Sequence, residues 1–267
     1  MKTAVIQIGA GPSKNDNIAK ALWWVKRAVA QKAEFILLPE MFNFRGKMEF
    51  REGYLEAAER FPGPSTAPLM AAAKKHKVVI LAGSICERVP GRKKVYNTSV
   101  LIDTHGNITA KYRKRHLFDA AIKNKVIKES RYFMKGVKGV LAKVGQWTLG
   151  MSICYDLRFP SLYAAYARAG ADILCVPSAF MKTTGQAHWE TLLRARAIEN
   201  FCYVLAPNQI GLDGQGVASY GHSMVIGPWG NVLARAGANK EEVIFAGIQK
   251  EEVNSRRQIF RKQSFRG

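Results

Sequence analysis

The sequence predicts an α/β fold, and three observations support this prediction. Short apolar runs rich in β-branched residues alternate with segments of helical periodicity along the whole chain. Some consecutive strands are separated by a helical segment and others only by a turn, which indicates a mixed sheet, or two sheets, covered by helices. The chain has 267 residues, which is enough to bury a large core.

The first half begins with a predicted strand, TAVIQI, at 3–8. After it, Ile18, Leu22, Val25 and Val29 recur at the spacing of one helix face, which predicts an amphipathic helix. Further strands are expected at 35–40 (FILLPE), 78–85 (VVILAGSI), 96–103 (YNTSVLID) and in ITAKYRK, a hairpin turn at DTHGN, and a helix in APLMAAAKKH.

The second half repeats this alternation. Its predicted elements are strands in GVLAKV and WTLGMSIC, a helix from about 160 to 169, a strand in ADILCVPSAF, a helix in AHWETLLRARAIEN, strands in YVLAPNQI, HSMVI and NVLARA, and a strand in EEVIFAGIQ. Proline, glycine and serine are scattered, with no linker, low-complexity segment or internal repeat. We therefore predict a single domain over 1–267, with a basic tail at about 254–267.

The chain is strongly basic, with 41 Lys and Arg against 20 Asp and Glu and a net charge of +21. Such a balance suggests an anionic partner, but much of the charge is spread along helix faces, so nucleic acid is not the expected partner. The N-terminus lacks the apolar core of a signal peptide, and no apolar run is long enough to span a membrane. We expect a soluble, cytoplasmic protein.

The four cysteines show neither CxxC pairing nor the close His and Cys clustering of a zinc site. We interpret them as free thiols. This pattern predicts no zinc site.

Three reactive side chains lie where predicted strands end, namely Glu40, Lys114 and Cys154. Taken singly, each has an ordinary structural explanation. Brought together, they would supply a general base, a cation facing an oxyanion and a nucleophile, which suffices to attack a carbonyl or nitrile carbon. A free thiol is mostly protonated at neutral pH, so the carboxylate would accept its proton during attack.

Several stretches resemble the nitrilase, or carbon–nitrogen hydrolase, superfamily, most closely its Nit-type amidases. They occur in family order across nearly the whole chain: LLPEMFNF at 37–44, KYRKRHLFD at 111–119, KES at 128–130, MSICYDLRFP at 151–160, TTGQAHWETLLRARAIEN at 183–200 and YGHSMVIGPWG at 220–230. The resemblance implies a four-layer α-β-β-α sandwich that pairs into a homodimer or a higher homo-oligomer. It implies no metal and no organic cofactor.

The resemblance also assigns roles by position. Glu40 would be the base, Lys114 the oxyanion-stabilising cation and Cys154 the nucleophile that forms a thioester. Glu129 would be a second glutamate that positions the lysine and the substrate. The implied activity is ammonia release from a small carboxylate-bearing amide.

Several residues near these motifs are candidates for the pocket. Tyr155 follows the nucleophile and offers a backbone N–H to the oxyanion, while Phe180 and Met181 are candidates for substrate contact. We expect Arg158 to pair with Asp156 and fix the turn. The segment NQIGLDGQG at 208–216 is rich in glycine, so the pocket rim is not predicted from it.

Other functions remain open. A nitrilase or an N-carbamoyl amine hydrolase would use the same three residues, and a nucleic-acid-binding protein or a catalytically silent family member would share the fold. A Cys-His hydrolase would use His116, His188 or His222. A metal site at His188-x-Glu190 lacks a second matching pair. The C-terminal tail also lacks the closing pattern usual in Nit-type amidases.

Overall fold

The computed structural model describes residues 1–47, 51–122 and 125–260. Within these ranges the chain forms fifteen strands, six α-helices and two short 3-10 helices. The first half contains β1 (Lys2–Gln7), α1 (Lys14–Ala30), β2 (Phe35–Leu37), α2 (Arg51–Ala57), α3 (Ala67–His76), β3 (Val79–Leu81), β4 (Ile85–Glu87), β5 (Tyr96–Ile102), β6 (Ile108–Arg113), β7 (Asp119–Ile122) and β8 (Lys125–Lys128). The second half contains β9 (Val140–Val144), β10 (Trp147–Met151), α4 (Pro160–Arg168), β11 (Ile173–Cys175), α5 (Lys182–Asn200), β12 (Tyr203–Ala206), β13 (Met224–Ile226), β14 (Val232–Arg235), β15 (Glu242–Gly247) and α6 (Lys250–Phe260). The 3-10 helices are Glu129–Arg131 and Cys154–Arg158.

Two mixed sheets form the centre of the described structure. The first has the order β15-β1-β2-β3-β5-β4, with β6 paired to the other side of part of β5, and the second has the order β14-β13-β12-β11-β10-β9. In the first sheet β1, β2 and β3 are parallel, and in the second β10, β11 and β12 are parallel. Strands β7 and β8 form a separate hairpin.

The pleat of the parallel strands divides their side chains between two apolar layers. Val5 and Leu37 lie in a cluster that also holds Leu149 of the second sheet, whereas their neighbours Ala4 and Ile36 pack on the opposite face. Because successive side chains of a strand point to opposite faces, the two sheets pack against each other through one face each. The inner layer is therefore the interface between the sheets.

Helices cover the outer faces of both sheets. Helix α1 begins after Ser13, whose side chain accepts a hydrogen bond from the backbone N–H of Asp16. Its buried residues Ile18, Ala21 and Val25 belong to the cluster that covers the first sheet. Helices α4 and α5 contribute to the cluster on the outer face of the second sheet. The predicted α/β class and the four-layer α-β-β-α arrangement are confirmed.

Strand directions explain why the ends of several strands meet. Strand β5 is antiparallel to β3, and β6 is antiparallel to β5, so β6 runs in the same direction as β2 and β3. The C-terminal ends of β2 and β6 therefore lie at the same edge of the first sheet. Glu40 follows β2 and Lys114 follows β6 at this edge.

The structure corrects several predicted elements. The single strand expected at 78–85 is two strands, β3 and β4, interrupted at Gly83, which has a positive φ of 38°. The strand expected to end at Cys154 ends at Met151, and Cys154 begins a 3-10 helix. Helix α2, helix α6 and the β7–β8 hairpin were not predicted. Strand propensity does not predict the interruption at Gly83 or the strand end at Met151, because tertiary packing decides where a short strand ends.

The basic tail predicted at about 254–267 divides into two parts. Residues 254–260 belong to α6, in which Val253 packs into the inner apolar layer and Arg257 pairs with Asp172 at 3.5 Å. Residues 261–267 lie outside the described residues. Among the helices that the structure describes, none combines the length and apolar character needed to cross a membrane.

Candidate active site

The segment before Glu40 is held by a close approach of two backbone segments. A Cβ atom on Gly83 would lie 1.9 Å from the carbonyl oxygen of Pro39, so only glycine fits there. The amide of Gln209 donates to the Glu40 carbonyl oxygen at 2.9 Å. Glu40 is thus fixed three residues beyond β2, and the residue is buried, with 4 % of its surface exposed.

Cys154 has a left-handed backbone conformation with φ of 48°, which costs a non-glycine residue about 1 kcal/mol or more. Its backbone N–H donates to Pro177 O at 3.0 Å. The preceding residue, Ile153, donates its N–H to the Asp156 side chain at 2.9 Å. Backbone strain of this kind concentrates at functional sites, and here it occurs at the first residue of the 3-10 helix that follows β10.

Glu40, Lys114, Glu129 and Cys154 converge in one hydrogen-bonded cluster. Lys114 Nζ lies 2.9 Å from Glu40 Oε1 and 2.9 Å from Glu129 Oε2. The Cys154 thiol lines the same cavity as the Glu40 carboxylate, and the charge of Glu40 raises the pKa of this thiol. Glu40 and Lys114 come from the first sheet and Cys154 from the second, so the cluster spans the two sheets at one edge.

Three further donors fix the carboxylates. The Asn97 amide donates to Glu40 Oε1 at 2.8 Å and to Glu129 Oε1 at 3.4 Å. The backbone N–H of Ala179 donates to Glu40 Oε2 at 2.8 Å. Phe118 N–H donates to Glu129 Oε2 at 2.6 Å. Both Glu40 oxygens are therefore oriented by donors other than the thiol.

The charges of the cluster determine which group carries a proton. Burial raises the pKa of Glu40, but the charge of Lys114 and the hydrogen bonds from Cys154, Lys114 and Ala179 outweigh burial and leave this pKa below its ordinary value. Burial lowers the pKa of Lys114, but Glu129 and Glu40 raise it well above the ordinary value. Lys114 is therefore a cation at neutral pH.

The pKa values of the Cys154 thiol and of Glu129 are raised, in contrast to the lowered pKa of Glu40. Burial raises the pKa of the Cys154 thiol, the Glu40 carboxylate raises it further, and Lys114 offsets only part of the rise. Burial also raises the pKa of Glu129, which Lys114 counteracts only in part. The proton between the thiol and Glu40 thus rests on sulfur, and the carboxylate is free to accept it when sulfur attacks an electrophile.

A cavity of about 790 Å³ opens above these side chains. The cavity is lined by the four side chains of the cluster. It is also lined by Tyr155, Phe180 and Met181, which the sequence predicted to lie in the pocket. Their contacts with substrate stay a prediction. The cavity is roughly large enough for a metabolite-sized amide, because small-molecule sites typically measure about 300–1,000 Å³.

Asp156 links the two loops that carry Lys114 and Cys154. This buried carboxylate accepts hydrogen bonds from Ile153 N–H at 2.9 Å, from the Tyr112 hydroxyl at 2.6 Å and from the backbone N–H of His116 at 2.9 Å, and it lies 2.7 Å from His116 Nδ1. The expected pairing of Asp156 with Arg158 is therefore wrong. Arg158 instead lies 3.1 Å from His188 Nδ1.

The histidines proposed for a Cys-His hydrolase have other neighbours. His116 pairs with Asp156 and stacks on Phe159, with ring centroids 3.6 Å apart. His188 contacts Arg158, and His222 Nδ1 lies 3.2 Å from Ala236 O. Within the described residues, no group of three or more His, Cys, Asp or Glu side chains is placed to hold a metal ion.

Sequence reasoning missed Asn97 and Asp156 as parts of the site. Asn97 lies in β5, within the segment YNTSVLI, where it was treated only as a strand residue. A buried amide in a mostly apolar strand was the available signal, but which carboxylates it reaches depends on how β5 and β6 pair.

The sequence profile of the carbon-nitrogen hydrolase family matches residues 2–258. The chain belongs to the carbon–nitrogen hydrolase family. The chain is 36% identical to human omega-amidase NIT2 over 266 residues, covering 98% of this chain and 94% of that protein. It is 40% identical over 263 residues to a deaminated glutathione amidase of Synechocystis sp., covering 96% and 94% of the two chains.

The structure of the C. elegans NitFhit protein superposes on this carbon–nitrogen hydrolase with a TM-score of 0.92 at 36% identity. That match covers 99% of this chain and 64% of the NitFhit chain, so the chain spans less than two thirds of that protein. The predicted family and enzyme class, a carbon–nitrogen hydrolase related to the Nit-type amidases, are confirmed.

Proposed function

We propose that this carbon–nitrogen hydrolase is a cysteine-dependent amidase that releases ammonia from a small carboxylate-bearing amide through a thioester. The observation that carries the proposal is the Glu40 carboxylate, which is hydrogen-bonded to the Lys114 ammonium and lines one cavity with the Cys154 thiol. The same carboxylate can therefore act as the base while a fixed cation faces the oxygen that becomes negative.

In the first half of the reaction, Cys154 Sγ adds to the amide carbon and its proton passes to Glu40. The oxygen that gains negative charge is stabilised by Lys114. One donor of this type typically contributes about 2.7–4 kcal/mol to transition-state stabilisation. The carbon–nitrogen bond then breaks, and Glu40 returns the proton to nitrogen so that ammonia leaves.

In the second half, water attacks the thioester carbon and Glu40 accepts a proton from it. The carbon–sulfur bond breaks and the proton returns to sulfur, which restores the thiol and releases the carboxylic acid. Glu129 also binds Lys114, with Oε2 at 2.9 Å from Nζ, and the Asn97 amide donates to both carboxylates. The Lys114 ammonium therefore keeps one carboxylate partner, Glu129, when Glu40 becomes protonated.

Two findings support a carboxylate-bearing amide as substrate. The relatives at 36% and 40% identity are named an omega-amidase and a deaminated glutathione amidase. Basic side chains, including Arg45, Lys128, Arg131 and Arg158, line the cavity. Tyr155, Phe180 and Met181 would contact the carbon chain between the two polar ends.

We also propose a homodimer in the cytoplasm. Ile198 on α5 is 47 % exposed, and Val232 and Leu233 on β14 are each 38 % exposed. Large apolar side chains in solvent support association between copies of the chain. Size-exclusion chromatography with light scattering at several concentrations would measure the assembly.

The test is ammonia release from α-ketoglutaramate, deaminated glutathione, a simple nitrile and an N-carbamoyl amine. We expect the carboxylate-bearing amides to be hydrolysed fastest, and we expect Cys154→Ala to abolish hydrolysis without unfolding the protein. Cys175→Ala is the control, because Cys175 is a free thiol buried in the inner layer and should leave activity in place. Full activity in Cys154→Ala would overturn the proposal, and a preference for the nitrile or the carbamoyl amine would reassign the substrate.

A further inference from the structure

Arg45 occupies the wall of the active-site cavity although its side chain is almost fully buried. It follows the segment that contains Glu40 and is only 7 % exposed, and it lines the same cavity as Glu40 and Cys154. Its backbone is anchored on both sides, by its N–H to Gly11 O at 3.0 Å and by its carbonyl oxygen, which accepts from Gly214 N–H at 2.8 Å. The guanidinium is therefore held in the wall by a fixed backbone.

This guanidinium has fewer partners than its burial requires. Nη1 has no hydrogen-bond partner among the residues that the structure describes. Nη2 lies 3.6 Å from Asp213 Oδ2, which is an ion-pair distance but is too long for a hydrogen bond. A charged donor that is buried without an acceptor loses its hydration and gains no hydrogen bond in return. Buried groups of this kind therefore usually bind a further partner.

Asp213 faces Arg45 from the glycine-rich segment 208–216. Its other oxygen, Oδ1, accepts the backbone N–H groups of Gln215 at 2.9 Å and Val217 at 2.8 Å. Those bonds close the loop on Asp213 and fix its carboxylate in place. Asp213 can therefore balance the charge of Arg45 only in part and from a distance.

The other cations of the cavity are occupied or exposed. Lys114 is bonded to two carboxylates. Arg158 lies over the rings of Tyr155 and Phe180 and contacts His188. Lys128 and Arg131 are exposed to solvent, where an ion pair contributes little. Arg45 thus combines a buried charge with an unused donor.

We propose that Arg45 binds the carboxylate of the substrate at the end away from the scissile amide. This inference rests on the proposed amidase function and names the residue that selects its substrate class. A guanidinium presents parallel N–H groups that match the two oxygens of a carboxylate, and burial strengthens that bond relative to water. Arg45 lines the same cavity as Glu40 and Cys154, so a carboxylate held there shares this cavity with the reacting groups.

The test compares Arg45→Met with the wild type on α-ketoglutaramate and on its neutral methyl ester. We expect kcat/KM for the carboxylate-bearing amide to fall by about 10- to 100-fold, mainly through KM, while kcat/KM for the ester changes little. Arg168→Met is the control, because Arg168 is exposed at the end of α4 and is not among the residues that line the cavity. It should leave the ratio between the two substrates unchanged.

Asp213→Asn gives a prediction of opposite sign. Removing the carboxylate beside Arg45 leaves the guanidinium less compensated, so KM for α-ketoglutaramate should fall. A purely structural role of the Arg45–Asp213 pair would instead raise KM in both variants. Arg45→Lys, which keeps the charge, should retain part of the preference and serves if Arg45→Met does not fold.

Binding of glutarate, measured by calorimetry, separates this inference from the proposed function. If the wild type releases no ammonia from any amide, the proposed function fails, and glutarate affinity still decides the role of Arg45. We expect glutarate to bind the wild type about 10- to 100-fold more tightly than Arg45→Met. Equal glutarate affinity, or an equal loss of activity on the acid and the ester, would overturn the assignment of Arg45.

Discussion

Replacing Asp156 by asparagine tests whether the link between the Lys114 and Cys154 loops positions the reacting groups. Each side-chain oxygen of Asp156 contacts two donors. Oδ1 contacts the backbone nitrogen and the ring nitrogen Nδ1 of His116. Oδ2 accepts from Ile153 N–H and from the Tyr112 hydroxyl. An asparagine keeps one oxygen and turns the other into a donor. One pair of donors therefore faces an amide NH₂ group in a site with no exposed surface.

The size of the effect follows from these bonds. A hydrogen bond to a charged group contributes about 1.5–3 kcal/mol, and the Tyr112 hydroxyl or the His116 ring can reorient to accept from the new amide. We therefore expect the free energy of unfolding to fall by about 2–4 kcal/mol, which lowers Tm by about 4–16 °C for a chain of this size. Urea unfolding followed by tryptophan fluorescence would measure the loss.

Activity should fall as well, because the loops that carry the ammonium and the thiol lose their common anchor. Misplacement of reacting groups by about 1 Å costs about 100-fold in rate, so we expect kcat to fall by about 10- to 100-fold in the folded variant. Asp172→Asn is the matched control. Asp172 is also buried, accepts Thr148 N–H at 2.9 Å and pairs with Lys250 of α6, but it does not join the loops that carry Lys114 and Cys154.

Asp172→Asn should lose a similar amount of stability and keep its kcat. Two results would refute the reasoning: a folded Asp156→Asn protein with wild-type kcat, or an equal fall of kcat in Asp172→Asn. The first would show that the loops are held without Asp156. The second would show that activity follows global stability.

Three further predictions follow from the site and its supports. Glu40→Gln should lower the pKa of the Cys154 thiol, because the carboxylate charge is removed while the Lys114 charge remains, and kcat should fall by about 10²- to 10⁴-fold. Thiolate absorbance at 240 nm, recorded against pH, would measure this pKa. A higher pKa in the variant would contradict the argument. Gly83→Ala should destabilise the protein far more than Gly91→Ala, because both have positive φ but a Cβ on Gly91 meets nothing within 4 Å; equal urea midpoints would contradict the close approach. Burial raises the pKa of Glu87, but hydrogen bonds from Arg113, Lys111 and Thr98 outweigh burial and lower this pKa overall. The stability that Glu87 contributes is therefore present above the pKa of an unfolded glutamate. It is lost as the pH falls through the pKa of Glu87 in the folded protein. The wild type should therefore exceed Glu87→Gln in unfolding free energy at pH 7, and this difference should shrink as the pH falls through the lowered folded pKa; a difference that grows in acid would contradict the sign.

Local patterns in the sequence were sufficient for the fold class and for most helices and strands. The spacing of Ile18, Val25 and their neighbours predicted α1, and the β-branched runs predicted the buried strands of both sheets. Periodicity succeeds here because it reflects which face of each element is buried, a property that short segments carry by themselves. It failed at 78–85, where the chain turns at Gly83 to make room for a neighbouring carbonyl group.

The sequence also placed Glu40, Lys114 and Cys154 at strand ends, and the structure brings these side chains into contact. Their catalytic roles stay a proposal. Motif positions could not show that Asn97 joins the two carboxylates or that Asp156 anchors His116 rather than Arg158. Such pairings depend on strand order and register, which bring together residues far apart in the chain.

The sequence by itself determined the α/β class, the family and the reactive residue types that this chain carries. Only the tertiary structure decided which group holds the proton of Cys154, which side chains fix Lys114, and that Arg45 is buried with an unused donor beside them. The physical reason is that periodicity and propensity act over a few residues, whereas burial, pKa and hydrogen-bond partnership depend on the neighbours that folding assembles from both sheets.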